Sequence, residues 1–172
     1  MIISKNIRVR YPDVFKTAEY SIVDDFCYFS TQIDIGYCSH ISNNCTVAGG
    51  RELLFKIGKY GSLAAGVRIF CASDDFVNDV AVLFPNGLNY LKTHTITGDV
   101  IMGDYVTIGA NTVVMPHQNI PDGVTVGAMS FVPTGFKFEP WSVYAGSPKL
   151  RLITRRNKAN VLLEVAKLEE YL

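Results

Sequence analysis

Residues 96–133, ITGDVIMGDYVTIGANTVVMPHQNIPDGVTVGAMSFVP, carry an aliphatic residue or a methionine at every sixth position. These positions are Ile96, Met102, Ile108, Val114, Ile120, Val126 and Val132. An amphipathic helix repeats its apolar positions about every 3.6 residues and a half-buried strand about every two. Because six is a multiple of two, each unit fits a short strand followed by a turn. The stretch therefore predicts a parallel β-helix, a solenoid in which each coil stacks on the previous one.

The same period occurs earlier in the chain. It runs through Val23, Phe29, Ile35, Ile41 and Val47, and returns at Ile57, Leu63 and Ile69. A four-residue insertion at 51–54 separates the two runs and shifts the register. In most repeats the residue after the apolar one is Gly, Ala, Ser or Thr, which suits a sharp corner.

Composition limits the kind of protein. The chain has 172 residues, enough for one domain with a sizeable core. Lys and Arg together number 16, as do Asp and Glu. This balance argues against a nucleic-acid or anionic-membrane partner, which would favour a basic excess. No apolar run approaches a membrane span and MIISKNIRVR lacks the apolar region of a signal peptide, so we expect a cytoplasmic protein.

The four cysteines, Cys27, Cys38, Cys45 and Cys71, form no C-x-x-C pair. Nor does any of them have a histidine at zinc-finger spacing. We therefore expect reduced thiols and no metal site.

Two motifs resemble those of the hexapeptide-repeat acyltransferases. They are the repeats of 96–133 and the ending EPWSVYAGSPKLRLITRR at 139–156, which is similar to the family pattern aliphatic-x-A-G-x-P-x-x-x-(Ile/Leu). The resemblance implies an all-β solenoid, a left-handed parallel β-helix of triangular section with three hexapeptides, or eighteen residues, per coil. It also implies acyl transfer from acetyl-coenzyme A without a metal. We predict a β-helix domain over 1–156 and a C-terminal α-helix over 157–172.

Two segments depart from the repeat. Residues 70–95 break the period, and a long excursion from a solenoid is usually functional. In residues 157–172, Val161, Val165, Leu168 and Leu172 form one apolar stripe behind a plausible N-cap, Asn157. We expect this helix to cover one open end of the solenoid and the first twenty residues to pack over the other.

The candidate catalytic residues are Asp74, Asp75 and His94. Many members of the resembled family use a histidine at the start of the long loop, where this chain has CASDD at 71–75. Asp74, or Asp75 by a shift of one, occupies that position. A carboxylate pairs with an ammonium better than with a hydroxyl, which favours N-acylation of an amine. His94, just before the repeat resumes, is the alternative base.

The cofactor-binding candidates share one corner and the segment after it. They are Gly109, Ala110, Gly127, Ala128, Lys149 and Arg151. Small residues at the corner let a ligand approach the backbone closely, and the two basic residues could pair with the phosphates of the coenzyme. The alternatives are plain turn residues and basic residues that serve solubility.

The substrate-binding candidates are Phe76, Asn78, Tyr90 and Trp141. The aromatic residues among them are equally plausible as core or subunit contacts.

The segments FCYFST, CASDDFVND and EPWSVYAGSP resemble transferases that act on dTDP-4-amino-4,6-dideoxyglucose. The resemblance implies an acetyl-coenzyme A-dependent N-acetyltransferase acting on a nucleotide-linked amino-dideoxy sugar for surface polysaccharide, such as the O-antigen of lipopolysaccharide. It also implies a homotrimer with active sites between subunits. An O-acetyltransferase on a sugar hydroxyl and a non-catalytic scaffold are the alternatives.

Overall fold

The chain forms a three-sided parallel β-helix of about seven turns, followed by one α-helix. The apolar residues that repeat every six positions point into its interior. A computed structural model describes residues 1–78, 88 and 91–172. Each of the first five coils contributes a short strand to each of three faces, and successive coils pair in parallel. The predicted solenoid is therefore confirmed.

The first face stacks seven parallel strands and ends with an antiparallel one. They are β1 (Ile2–Ile3), β4 (Ile22–Val23), β6 (His40–Ile41), β8 (Ser62–Leu63), β13 (Thr107–Ile108), β16 (Thr125–Val126), β18 (Ser142–Ala145) and β19 (Arg151–Arg155).

The second face contains, in each coil, the strand segment that follows the strand of the first face. It contains β2 (Arg8–Val9), the beginnings of β5 (Tyr28–Ile35) and β7 (Thr46–Ile57), β9 (Arg68–Phe70), β14 (Val113–Val114) and β17 (Phe131–Val132).

The third face closes each of the first five coils. It contains β3 (Phe15–Thr17), the ends of β5 and β7, β12 (Val100–Met102) and β15 (Gln118–Ile120). A 3-10 turn, Pro12–Val14, precedes β3.

The register gives the length of one coil. Thr107 pairs with Thr125 and Val113 with Phe131, so stacked residues are eighteen positions apart. The insertion at 51–54 appears as a register shift, after which Gln32 pairs with Leu54. Both sequence predictions are confirmed.

The periodic residues form the core. All those from Val23 to Ile69 and from Met102 to Val132 are at most 1% exposed. Ile96 is the exception, because it lies in β11 (Thr95–Thr97), which pairs with β10 (Ala72–Asp74) as an antiparallel hairpin outside the coils. The excursion therefore extends two residues past the predicted end at 95.

The first twenty residues form a coil of their own instead of packing over the end. Ile3 pairs with Val23, Val9 with Phe29, and Phe15 with Ile33. Ile3, Val9 and Phe15 are six residues apart. They continue the period in a shifted register, a signal that the sequence analysis missed.

The C-terminal helix α1 (Lys158–Glu169) begins after Asn157, whose Oδ1 accepts a hydrogen bond from the backbone N–H of Asn160 at 3.1 Å. The expectation that it covers an open end is wrong. Its last residues reach back to the first coils, where Tyr20 Oη donates to the Leu172 carbonyl oxygen at 3.3 Å. The helix therefore runs along one edge of the β-helix.

That edge, between the third and first faces, carries a ladder of aromatic rings that we call the tyrosine corner. Its members are Tyr20, Tyr37, Tyr60, Tyr105 and Trp141, with successive ring centroids 5.5, 5.8, 5.6 and 5.6 Å apart.

The four cysteines are free thiols, and Cys27, Cys45 and Cys71 are buried. Burial raises the pKa of Cys71 to about 12.

Candidate active site

A cavity of about 760 Å³ opens beside the edge between the second and third faces, which we call the loop corner. The hairpin of β10 and β11 leaves the coil at this edge. The described residues that line the cavity come from five consecutive coils and from the hairpin. They are Arg10, Tyr11, Ser30, Gly49, Gly50, Phe70, Ala72, Ser73, Asp74, Phe76, Lys92, Thr95 and Met115.

Asp74 lies in this cavity at the end of β10, opposite Thr95 of β11. Its Oδ1 forms an ion pair with Lys92 Nζ. The Lys92 side chain is 7% exposed and that of Asp74 is 33% exposed. The Asp74 carboxylate therefore faces the cavity on one side and a buried cation on the other.

Asp75 has a different environment. Its Oδ1 accepts a hydrogen bond from the Val77 backbone N–H at 2.9 Å, and its Oδ2 accepts one from Asn78 Nδ2 at 2.7 Å. The Asn78 amide, then the Val77 N–H, holds the pKa of Asp75 below its ordinary value. Asp75 therefore stabilises the turn after β10, and the structure separates two aspartates that the sequence analysis left as alternatives.

Four other predicted residues lie in or near the loop. Phe76 lines the cavity and is 78% exposed. Asn78 is engaged by Asp75 as described above. His94 is exposed and stands outside the set of described residues that line the cavity. Tyr90 lies outside the described residues.

The predicted coenzyme-binding turns do stack. Gly109 N–H donates to the Val126 carbonyl at 2.7 Å, and Gly127 N–H to the Tyr144 carbonyl at 2.7 Å. A Cβ at Gly109 would overlap the backbone of Ala128, and one at Gly127 would lie 3.0 Å from the Ala145 Cβ. The stacking of coils alone therefore explains the glycine at 109, without any ligand. Coenzyme binding at this corner stays a prediction.

The basic residues after this corner are brought close to it. Strand β19 folds back on β18, so that Arg151 pairs with Ala145. Ala145 stands directly after Gly127 in the stack. Lys149 and Arg151 are both exposed. The structure therefore gathers the predicted coenzyme-binding residues along one edge, between the first and second faces.

Trp141 is not brought to the cavity. It lies at the tyrosine corner, where its ring packs on Tyr105 and Lys158 Nζ lies 5.2 Å from its ring centroid. A side chain at Gly123 would overlap the indole. These contacts give Trp141 a packing role.

Several cavity residues were missed by the sequence analysis. Lys92 and Thr95 flank the chosen His94, and only the hairpin pairing reveals that they face Asp74. Arg10 and Tyr11 were missed because the first coil was not recognised. The spacing of Ile3, Val9 and Phe15 would have placed Arg10 and Tyr11 at the same corner as the loop.

The described residues contain no group of three or more His, Cys, Asp or Glu that could hold a metal ion. None of the helices in the described part of the chain is long and apolar enough to cross a membrane.

No protein-family model matches the chain. Individual relatives do. The chain is similar to AntD, an N-acyltransferase from Bacillus cereus solved with dTDP and 3-hydroxybutyryl-CoA, with 31% identity and a TM-score of 0.82. The match covers 98% of this chain and 87% of AntD. This chain belongs to the hexapeptide-repeat acyltransferases. A related AntD structure, with a serine replaced, contains dTDP-4-amino-4,6-dideoxyglucose and coenzyme A.

Two curated relatives agree with this acyltransferase assignment. The dTDP-4-amino-4,6-dideoxy-D-glucose acyltransferase of Escherichia coli is 28% identical over 83% of this chain and 72% of its own length. A probable macrolide acetyltransferase of Lysinibacillus sphaericus is 33% identical, but the match spans 54% of this chain and 55% of the relative. A hexapeptide-repeat acetyltransferase of Vibrio cholerae, at 19% identity and a TM-score of 0.61, shares the fold.

Proposed function

We propose that this acyltransferase moves an acetyl group from acetyl-coenzyme A to the amino group of a nucleotide-linked 4-amino-4,6-dideoxy sugar. The observation that carries the proposal is the ion pair of Asp74 and the buried Lys92 inside a cavity of about 760 Å³. A cavity of this volume suits a ligand of drug size or larger. The substrates named for the relatives from Bacillus cereus and Escherichia coli support the choice of a dTDP-linked sugar.

The chemistry needs one proton acceptor. The sugar amine attacks the thioester carbonyl, a C–N bond forms, and the C–S bond breaks as the thiolate leaves. The attacking nitrogen must lose a proton, which Asp74 accepts and which returns to the thiolate through solvent. A carboxylate also attracts the ammonium form of the substrate by charge.

The acetyl donor approaches from the edge where Gly109 and Gly127 stack. Strand β14 leads from that edge to Met115, which lines the cavity. Arg151 and Lys149, exposed near the same edge, provide cations for the phosphates of the coenzyme. The thioester therefore reaches Asp74 along the second face.

The finer parts of the proposal concern assembly and setting. We propose a homotrimer with active sites between subunits, acting in the cytoplasm in the synthesis of a surface polysaccharide such as the O-antigen of lipopolysaccharide. The family resemblance of the motifs supports this proposal. Light scattering should then give three times the mass of one chain, and a monomer with full activity would refute the trimer.

The test of the reaction is thiol release from acetyl-coenzyme A with dTDP-4-amino-4,6-dideoxyglucose as the acceptor. The matched control is the same nucleotide sugar with a hydroxyl in place of the amine. Turnover of the amine alone is the expected result. Turnover of the hydroxyl sugar instead would favour O-acetylation, and binding of neither substrate would favour a scaffold.

A further inference from the structure

The loop cavity has two walls of different origin. One wall is the hairpin, which contributes Asp74, Lys92 and Thr95. The other is the first coil, which contributes Arg10 and Tyr11. Arg10 follows β2, and its backbone N–H donates to the Phe29 carbonyl at 2.8 Å, which fixes it beside Ser30. Nothing in the reaction chemistry described above uses this second wall.

Arg10 contributes a positive charge to this second wall. Within the described part of the chain, no Asp or Glu forms an ion pair with its guanidinium. Its neighbours are aromatic: the Tyr11 ring centroid is 5.8 Å away, and Arg10 also contacts Tyr28. The proximity of Ser30, and then of Arg10, holds the pKa of Tyr28 below its ordinary value.

The neighbouring arginine is different. Arg51 also lies against the Tyr11 ring, at 5.6 Å, but it forms a two-pronged ion pair with Asp13. Its charge is therefore already neutralised by the chain. Lys92 is likewise paired with Asp74. Among the described residues that line the cavity, Arg10 is therefore the cation whose charge is not offset by a carboxylate of the described chain.

The position of Arg10 along the axis separates it from the predicted coenzyme edge. The cavity runs along the second face from Arg10 through Ser30, Gly49 and Phe70 to Met115. With about 4.8 Å between stacked strands, four steps span roughly 19 Å. Met115 belongs to the coil that contains Gly109, and Arg10 lies at the other end of the cavity.

We propose that Arg10 binds the diphosphate of the nucleotide-linked sugar and so sets the depth at which the sugar amine meets Asp74. This inference rests on the proposed function, because only an acceptor with a diphosphate needs the cation. The guanidinium fork matches two phosphate oxygens at once, and an arginine with no carboxylate partner keeps its donors available for them. The acceptor enters from the first coil and the acetyl donor from the opposite end.

The experiment compares Arg10→Met with Arg8→Met in the full chain. Arg8 precedes Arg10 by two residues, on the same side of strand β2, but does not line the cavity. Calorimetric titration with dTDP should show at least about a 10-fold weaker Kd for Arg10→Met, and less than about a 2-fold change for Arg8→Met. The KM of the nucleotide sugar should rise in parallel, while the KM of acetyl-coenzyme A stays unchanged.

Arg10→Lys separates the effect of charge from that of hydrogen-bond geometry, because lysine keeps the positive charge but lacks the two-pronged guanidinium. It should bind dTDP more weakly than the wild type and more tightly than Arg10→Met. If the wild type binds dTDP and Arg10→Met binds it equally well, the role of Arg10 is refuted and the proposed function stands. A rise in the KM of acetyl-coenzyme A alone would also refute it. If the wild type neither binds dTDP nor acetylates the amino sugar, the proposed function itself fails.

Discussion

At the tyrosine corner each aromatic ring packs on the next ring of the ladder, whereas at the loop corner the chain leaves the coil and charged side chains surround a cavity. The two edges belong to the same β-helix and share its register. At the first, the side chains find their partners within the chain: Tyr60 Oη bonds to Glu169 of α1, and Arg156 donates to the carbonyls of Tyr105 and Gly123.

At the loop corner the regular period is broken in several coils. The insertion at 51–54 and the excursion after Phe70 both lie there, and Gly50 has a φ of 92° with open space around the position of a Cβ. Only a glycine adopts this conformation without strain. Arg10 and Asp74 keep part of their surface in the cavity. The comparison teaches that the aromatic ladder satisfies its own contacts, whereas the cavity forms where the regular edge is interrupted.

The largest expected effect is at the interrupted edge. Asp74→Asn removes the proton acceptor and should lower kcat, measured per folded molecule, by a factor of about 10² to 10⁴. Asp75→Asn is the matched control, since an asparagine Oδ1 still accepts the hydrogen bond from the Val77 N–H. Its kcat should fall far less. Steady-state thiol release measures both variants, and wild-type kcat for Asp74→Asn would remove Asp74 from the reaction.

The second effect belongs to the regular edge. Tyr105→Ala removes a ring that packs between Tyr60 and Trp141. The loss of apolar burial and of two ring contacts should destabilise the protein by about 2 kcal/mol. Urea unfolding measures the change, and kcat/KM per folded molecule should not move.

Tyr20→Ala is the control for this substitution, because Tyr20 is 44% exposed and ends the ladder with one ring neighbour. It should cost less than Tyr105→Ala. Equal losses at the two positions, or a loss of activity with Tyr105→Ala, would contradict a purely structural ladder.

The two edges also differed in how far the sequence predicted them. The core was predictable because the side chain that points inward in each six-residue repeat must be apolar. Ile108 and Val126 are such residues, and both are buried. The excursion was predictable because it breaks that rule. The residues that meet across the cavity were not, since the pairing of Asp74 with Lys92 depends on the register of the hairpin, which no local pattern encodes.

The helix illustrates a similar limit. The stripe of Val161, Val165 and Leu168 correctly indicates one apolar face, and these residues line a groove with Tyr60 and Tyr105. A stripe specifies which side of a helix is buried but not what covers it. The surface that covers the apolar face of α1 is formed by tyrosines, which are spaced irregularly along the sequence but stack on one edge of the fold.

The smallest predicted effect tests whether the regular edge is independent of the site. Asn157→Ala removes the hydrogen bond that caps α1 and should destabilise the helix by about 1 kcal/mol. Faster amide hydrogen exchange in Lys158–Glu169, with little change in the second face, is the expected readout. Asn157→Asp keeps an acceptor oxygen and should exchange like the wild type.

The kinetic constants of Asn157→Ala test whether loosening of α1 affects the active site. Since α1 packs on the tyrosine corner and the described cavity residues lie at the loop corner, Asn157→Ala should leave kcat and both KM values unchanged. A rise in the KM of either substrate would mean that α1 reaches a site in the assembled enzyme. The tyrosine corner would then be part of the catalytic assembly, and the division between a structural edge and a functional edge would fail.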